Sequence, residues 1–202
     1  VSDGRAESAA RRPYPKGVAR RRQIIERAIT EFASNGVDGT SLRRLGQAIG
    51  VSHATLRHYF ASRDELLVEV YRSHEENTDA EDTTGRGAVD VIDDSADRNR
   101  SIPGLVRLYA TLSADALQED HGTSADFVRE RFQRLRTDLA ARIRQGQTDG
   151  HIASDVDPVD AAALVIAASD GMQIQWLLAP DTVDVQRSLS LLERILPNSP
   201  QD

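Results

Sequence analysis

From Val18 to Asn35 the apolar positions are Ile24, Ile25, Ala28, Ile29, Phe32 and Ala33. They fall in two adjacent rows four residues apart, the stripe of an amphipathic helix. Asn35-Gly36 ends it. Leu42, Leu45, Ala48 and Ile49 share one face of a second, shorter helix, with Thr40 as the expected N-cap and Gly50 where a helix end favours a left-handed residue. Ser52 is placed to cap a third helix that runs to Phe60, with Leu56 and Phe60 one turn apart on its inner side. Ser62 and Glu65 make an S-x-x-E capping box at the start of a fourth helix that continues through Val70 and Tyr71.

Residues 73–85 are polar and weakly patterned, so a frayed helix end or loop is expected there. Val89, Ile92 and Ala96 suggest a further short helix crowded by Asp90, Asp93, Asp94 and Asp97. Pro103-Gly104 restarts the pattern with Leu105, Leu108, Tyr109, Leu112 and Ala116. Gly122 and Thr123 separate it from a longer helix carrying Phe127, Phe132, Leu135, Leu139 and Ile143. Asp157-Pro158 is an N-cap followed by proline at the first helical position. The helix it opens is apolar over much of its circumference and closes before Pro180. A last helix carries Val185, Leu189, Leu192, Ile195 and Leu196. No stretch sustains period-two alternation, so the expected fold is all-α: a small three-helix head followed by a larger helical domain. The expected boundaries are a basic arm over 1–17, a head over 18–63 and a second domain over 64–202.

The chain has 202 residues and a net charge of -7, and it contains no cysteine. Disulfide frameworks and thiolate metal sites are therefore excluded. The charge is unevenly spread. Residues 1–72 hold 13 basic against 8 acidic side chains, and residues 73–202 hold 12 against 24. Such asymmetry points to a polyanion at the amino end. The longest purely apolar run, Ala161 to Ala168, is far short of the ~20 residues of a membrane span. No export signal is seen, so the expected location is the cytoplasm, with no membrane partner.

Three short helices with a glycine turn outline a helix-turn-helix. The wording is more specific. Thr40 through Leu67, above all Gly50-Val51-Ser52, Thr55-Leu56, Tyr59-Phe60 and the capped run Ser62 to Leu67, resembles the DNA-binding head of the TetR family of bacterial regulators. Val156-Asp157-Pro158 and Asp170 through Asp181 resemble that family's second domain. The resemblance implies a homodimer that sets one recognition helix per subunit into successive major grooves of a palindromic double-stranded operator. It also implies a small-molecule effector, unidentified from sequence, and repression as the mode of regulation.

Arg57 and His58 project opposite Leu56 and Phe60, and arginine is the natural bidentate partner of guanine N7 and O6. The family often carries Tyr at the position of Arg57 and Lys at that of His53. The departure at Arg57 suggests a guanine in the half-site. His53 suits a base acceptor or a phosphate, and Ala54 suits a thymine methyl. Thr40, Ser52, Thr55, Tyr59 and Arg63 match positions that hold phosphates in the family, and Arg43 and Arg44 add candidate backbone contacts. Solvated surface is the alternative for each, and packing on the first helix for Tyr59. Arg11, Arg12, Lys16, Arg20, Arg21 and Arg22 suit the DNA backbone or minor groove, or a soluble basic tail.

The helix over 158–178 and the last helix carry more apolar surface than one small domain needs. Two from each subunit would form a four-helix interface, with Leu164, Val165, Ala168, Leu189, Leu192 and Leu196 as candidates; intrachain core is the alternative. The resemblance places the effector pocket among the middle helices, with Leu105, Leu108, Tyr109, Leu112, Phe127, Arg131, Phe132, Met172, Gln173 and Trp176 as candidate lining or core. No nucleotide loop or nucleophile motif is present, and His53 and His58 are not at i, i+4 metal spacing. Asp93-Asp94 and Asp155-x-Asp157 are charge runs that suit solvent better than a cation. No cofactor, metal or catalytic residue is expected. The alternative function is a helical ligand-binding or protein-interaction module whose head does not read DNA.

Overall fold

The computed structural model describes residues 15–37, 41–78, 83, 85–194 and 196. Among these, every regular element is helical. The head comprises α1 (Pro15–Asn35), α2 (Leu42–Ala48) and α3 (His53–Tyr59). The rest comprises α4 (Arg63–Thr78), α5 (Ala88–Arg100), α6 (Pro103–Asp115), α7 (Gly122–Thr148), α8 (Pro158–Leu178) and α9 (Val185–Leu189), which runs into a 3₁₀ turn (Ser190–Arg194). Thr40, Arg11, Arg12 and the rest of the arm to Tyr14 lie outside the described residues. Lys16 already stands on α1.

Local chemistry explains the boundaries. Ser41, rather than Thr40, caps α2, its Oγ accepting from Arg44 N at 3.3 Å. Ser52 Oγ accepts from Thr55 N at 3.1 Å and so caps α3. Gly50 takes φ +66 between them, a conformation that disfavours any side chain. In the capping box Ser62 Oγ accepts from Glu65 N at 3.0 Å, but Glu65 Oε2 reaches back to Ala61 N at 2.7 Å. Asp157 Oδ1 accepts from both Val159 N and Asp160 N at the start of α8. The hydrogen bonds favour its charged form and lower its pKa.

Two expectations are corrected. The fourth helix does not fray at 73 but runs to Thr78, because its polar second half pairs with α7: Arg72 with Glu130 at 3.0 Å, and Glu75 with Arg131 and Arg134. Gly122 is not a separator but the first residue of α7.

Two apolar clusters hold the chain together. The first joins the head to α4, α6 and the start of α7, around Phe32, Leu45, Leu56, Phe60, Leu66, Leu67, Leu108 and Leu112. The second joins α5, the later turns of α7, α8 and α9, around Ile92, Leu139, Ile143, Val165 and Leu189. Helix α7, 27 residues and about 40 Å long, spans both. Helix α8 is 21 residues long and apolar enough to cross a membrane by length and composition. It packs on α5, α6, α7 and α9, the setting of a core helix.

Candidate nucleic-acid interface and effector cavity

Helix α3 is amphipathic over two turns. Leu56 is fully buried and Phe60, at its end, is 1% exposed. His53, Ala54, Arg57 and His58 form the opposite, exposed face, at spacings of one, four and five residues. Ser52 Oγ and Thr55 Oγ1 lie 2.7 Å apart at the helix start. Tyr59 is half-buried, packed against the first cluster, and meets His58 edge-on with centroids 4.8 Å apart. Arg43 and Arg44 are exposed on α2. A short helix with a cationic outer face, carried on a packed inner face, has the build that enters a major groove.

The head is tied to the rest of the molecule by charges. Arg21 lies over the Phe60 ring at 4.9 Å and pairs with Glu69 at 2.6 Å and Glu65 at 3.5 Å, both on α4. Arg63, expected on phosphate, is turned inward instead: its Nη1 meets Asp115 at 2.5 Å and Asp64 at 3.2 Å. His121 Nδ1 lies 2.6 Å from the other Asp64 oxygen. Asp64, Asp115 and His121 bring three possible metal-ligand atoms within 4.8 Å of one another. The Arg63 guanidinium already supplies the positive charge there, so the group is an ion-pair network joining α4, α6 and α7.

Between α5, α7 and α8 lies a cavity of about 330 Å³. Val91, Ile92, Leu135 and Ile166 form its apolar wall, and Arg98, Arg131, Arg134 and Arg142 line it together with Asp138 and Asp170. Its inner edge is a polar network across four helices. Arg131 Nε donates to Glu75 Oε1 at 2.7 Å, and Arg134 Nη2 to Glu75 Oε2 at 3.0 Å. Arg131 Nη1 donates to the Tyr109 hydroxyl at 3.0 Å, which donates to Asp170 Oδ2 at 3.1 Å. Tyr71 stacks on Tyr109, centroids 5.2 Å apart. Burial pushes the Tyr109 phenol up to about 12, raises Tyr71 further, and raises the Asp170 carboxyl. The facing tyrosines and carboxylates hold Arg131 firmly protonated against its own desolvation.

Comparison with known proteins settles what this arrangement is. Residues 24–70 match the model for bacterial regulatory proteins of the tetR family, and residues 87–198, more than half of the chain, match the C-terminal domain of BetI-type transcriptional repressors. The chain belongs to the TetR family. It is a DNA-binding transcriptional repressor of that family, and the reading of a helical module without a DNA-reading head is not supported. It is similar to the transcriptional repressor AcnR of Corynebacterium diphtheriae, 27% identical over 183 residues, 89% of this chain and 93% of that one. It is 43% identical over 58 residues to the transcriptional repressor Rv1474c of Mycobacterium tuberculosis, a match spanning 29% of this chain and 31% of that one. A TetR transcription regulator from Haloarcula marismortui shares the fold with a TM-score of 0.72 at 18% identity, over 91% of this chain and 100% of that one. TetR-family proteins are regulators rather than enzymes, and they bind operator DNA and small-molecule effectors.

Within this TetR-family chain the expected cavity residues divide. Arg131 and Gln173 line the cavity. Tyr109 reaches its edge through hydrogen bonds to Arg131 and Asp170. Leu105, Leu108, Leu112 and Phe127 belong to the first core, while Phe132, Met172 and Trp176 pack beside the second. The lining residues that sequence reasoning missed include the charged Arg98, Arg134, Asp138, Arg142 and Asp170 and the apolar Val91, Ile92, Leu135 and Ile166. A signal existed: 131, 135, 138 and 142 fall at spacings of four, three and four, one face of a helix.

The expected interface residues divide too. Val165, Leu189 and Leu196 are buried inside the subunit at 0–3% exposure, because α5, α7 and α9 cover them. Ala168 and Leu192 are half-buried. Leu164 is open, and Val159, Ile174 and Leu178 stand exposed with it on α8.

Proposed function

We propose that this repressor is a cytoplasmic, non-catalytic homodimer that binds a palindromic operator and leaves it when a small molecule fills the cavity between α5, α7 and α8. The observation that carries the reading is the exposed face of α3, where His53, Ala54, Arg57 and His58 stand free of the packed Leu56 and Phe60. Arg57 reads guanine, and Ser52, Thr55, Arg43 and Arg44 hold the backbone.

Dimerisation is supported by α8. Ala163, Leu164, Ala167, Ile174 and Leu178 are exposed at helical spacing, with Gly171 among them offering open space. A second copy of the same stripe covers this face by two-fold symmetry. Signalling is supported by α4, whose first turns lie in the head core and whose Glu75 reaches the cavity edge. A ligand that moves α4 changes the separation of the two α3 helices, which must match half-sites about 34–36 Å apart. Differential affinity of the ligand for the two states supplies the coupling.

The test is selection of bound duplexes from a randomised pool by the purified protein. The expected product is an inverted repeat with guanine in each half-site. Recovery of unrelated sequences, or of a single asymmetric site, would contradict the proposal.

A further inference from the structure

The cavity's chemistry narrows its ligand. Arg131 and Arg134 stand three residues apart on α7, and a single carboxylate, that of Glu75 from α4, bridges them at 2.7 and 3.0 Å. Two guanidinium groups closing on one carboxylate form a ready-made anion site. At present that site is filled from within the chain. Arg98 on α5 and Arg142 on α7 line the same space, with Arg142 already donating to Asp138, to Thr83 and to the Arg86 carbonyl.

The carboxylates nearby are largely spoken for. Asp138 is held by Arg142 at 3.0 Å, and Glu75 is the bridge itself. Asp170 accepts from Tyr109 at 3.1 Å. At the Arg131–Arg134 pair two guanidinium groups share the one carboxylate that bridges them, so an ammonium ligand meets repulsion there and an anion meets attraction. The wall of Val91, Ile92, Leu135 and Ile166 supplies an apolar bed for the rest of the molecule.

We propose that the cavity takes a small amphipathic anion, with a carboxylate-like head and a short apolar body, and that its head competes with Glu75 for Arg131 and Arg134. The inference rests on the reading of this cavity as the effector site. Its consequence is mechanical. An incoming anion replaces the α4 carboxylate that bridges this pair of α7 arginines, so ligand binding and release of the far end of α4 become one event. Burial raises the Asp170 carboxyl, so it yields its charge more readily than an ordinary aspartate and opposes the anion less.

The test uses three matched probes on the full chain: octanoate, octanamide and octylamine, titrated by calorimetry, with operator affinity measured in parallel. Octanoate is expected to bind at least about tenfold more tightly than octanamide, with octylamine weakest. Arg134→Gln, at a half-exposed side chain that tolerates change, should lose about tenfold for octanoate and little for octanamide. Glu75→Gln should gain several-fold for octanoate, since its internal competitor has lost its charge. Equal binding of the three probes, preference for octylamine, no binding of any probe, or octanoate affinity indifferent to both substitutions would each overturn the anion assignment. Octanoate binding with the expected pattern but with operator affinity unchanged would uphold the anion site and refute the effector reading instead.

Discussion

Gly104 opens α6 where it crosses α1, and a Cβ there would lie 1.7 Å from the Phe32 carbonyl oxygen and 2.7 Å from that of Ala33. Gly46 is the smaller case: its Cβ would lie 2.6 Å from the Val51 carbonyl oxygen, inside the turn between α2 and α3. The Phe32 and Ala33 oxygens cannot move without α1, nor the Val51 oxygen without the turn that seats α3. Gly104→Ala should therefore cost more than the 1–3 kcal/mol typical of overpacking, and Gly46→Ala about that much, with operator affinity lost first. Urea melts followed by circular dichroism would measure both, and a wild-type midpoint for Gly104→Ala would contradict the close crossing. The contrast with Gly50 shows what was legible. Gly50 serves a local need, a left-handed helix end, and its place after the apolar run announces it. Gly104 serves a contact with α1, distant in sequence, and Gly46 one with the turn and with Leu56 on α3. Arg63 is a similar case: only folding brings it to Asp115, 52 residues away.

Helices were legible wherever one apolar stripe faced one core, as in α1, α3 and α6. Helix α4 was legible only in its first half. Its second half is polar because it meets the arginines of α7, and a pattern of hydrophobicity cannot see a face buried by charge. The same blindness hid most of the cavity's charged lining. That polar seam has a measurable signature. Unfolded tyrosine ionises near pH 10, whereas Tyr109 is pushed up to about 12 and Tyr71 is raised as well. Between these values the unfolded chain releases protons that the fold retains. Stability is therefore intact below pH 10 and falls as the pH rises toward 12, by about 1.4 kcal/mol per pH unit for each tyrosine. Urea midpoints should fall across this window, while tyrosinate absorbance from these two residues appears only with unfolding. A midpoint flat from pH 10 to 12, or ionisation of all four tyrosines in the native protein, would show the seam to be open to water.

At the scale of the whole molecule two cores share one long helix. Family wording in the head was specific enough to name its chemistry, while the second domain disclosed its architecture but only part of its cavity, Arg131 and Gln173, and of its open face, Leu164. Apolar residues on α8 were legible as a set. Which of them face outward was not, because the helix is apolar almost all round and only the packing of α5, α7 and α9 selects a side. Leu164→Glu combined with Ile174→Glu should leave the subunit folded and convert the proposed dimer to a monomer in sedimentation equilibrium. Operator affinity should fall with it, since a single head forfeits the second half-site. A double variant that stays dimeric would place the interface elsewhere.

The claim on which the rest depends is that Arg57 on α3 reads a base in duplex DNA. It is tested most directly by a double-mutant cycle in fluorescence anisotropy: wild type and Arg57→Ala, each on the selected operator and on one with the half-site guanines replaced. Arg57→Ala should cost about 1–3 kcal/mol per half-site on the guanine operator and almost nothing on the replaced one. Losses that simply add, with Arg57→Ala equally weak on both operators, would show that Arg57 touches the backbone or nothing at all.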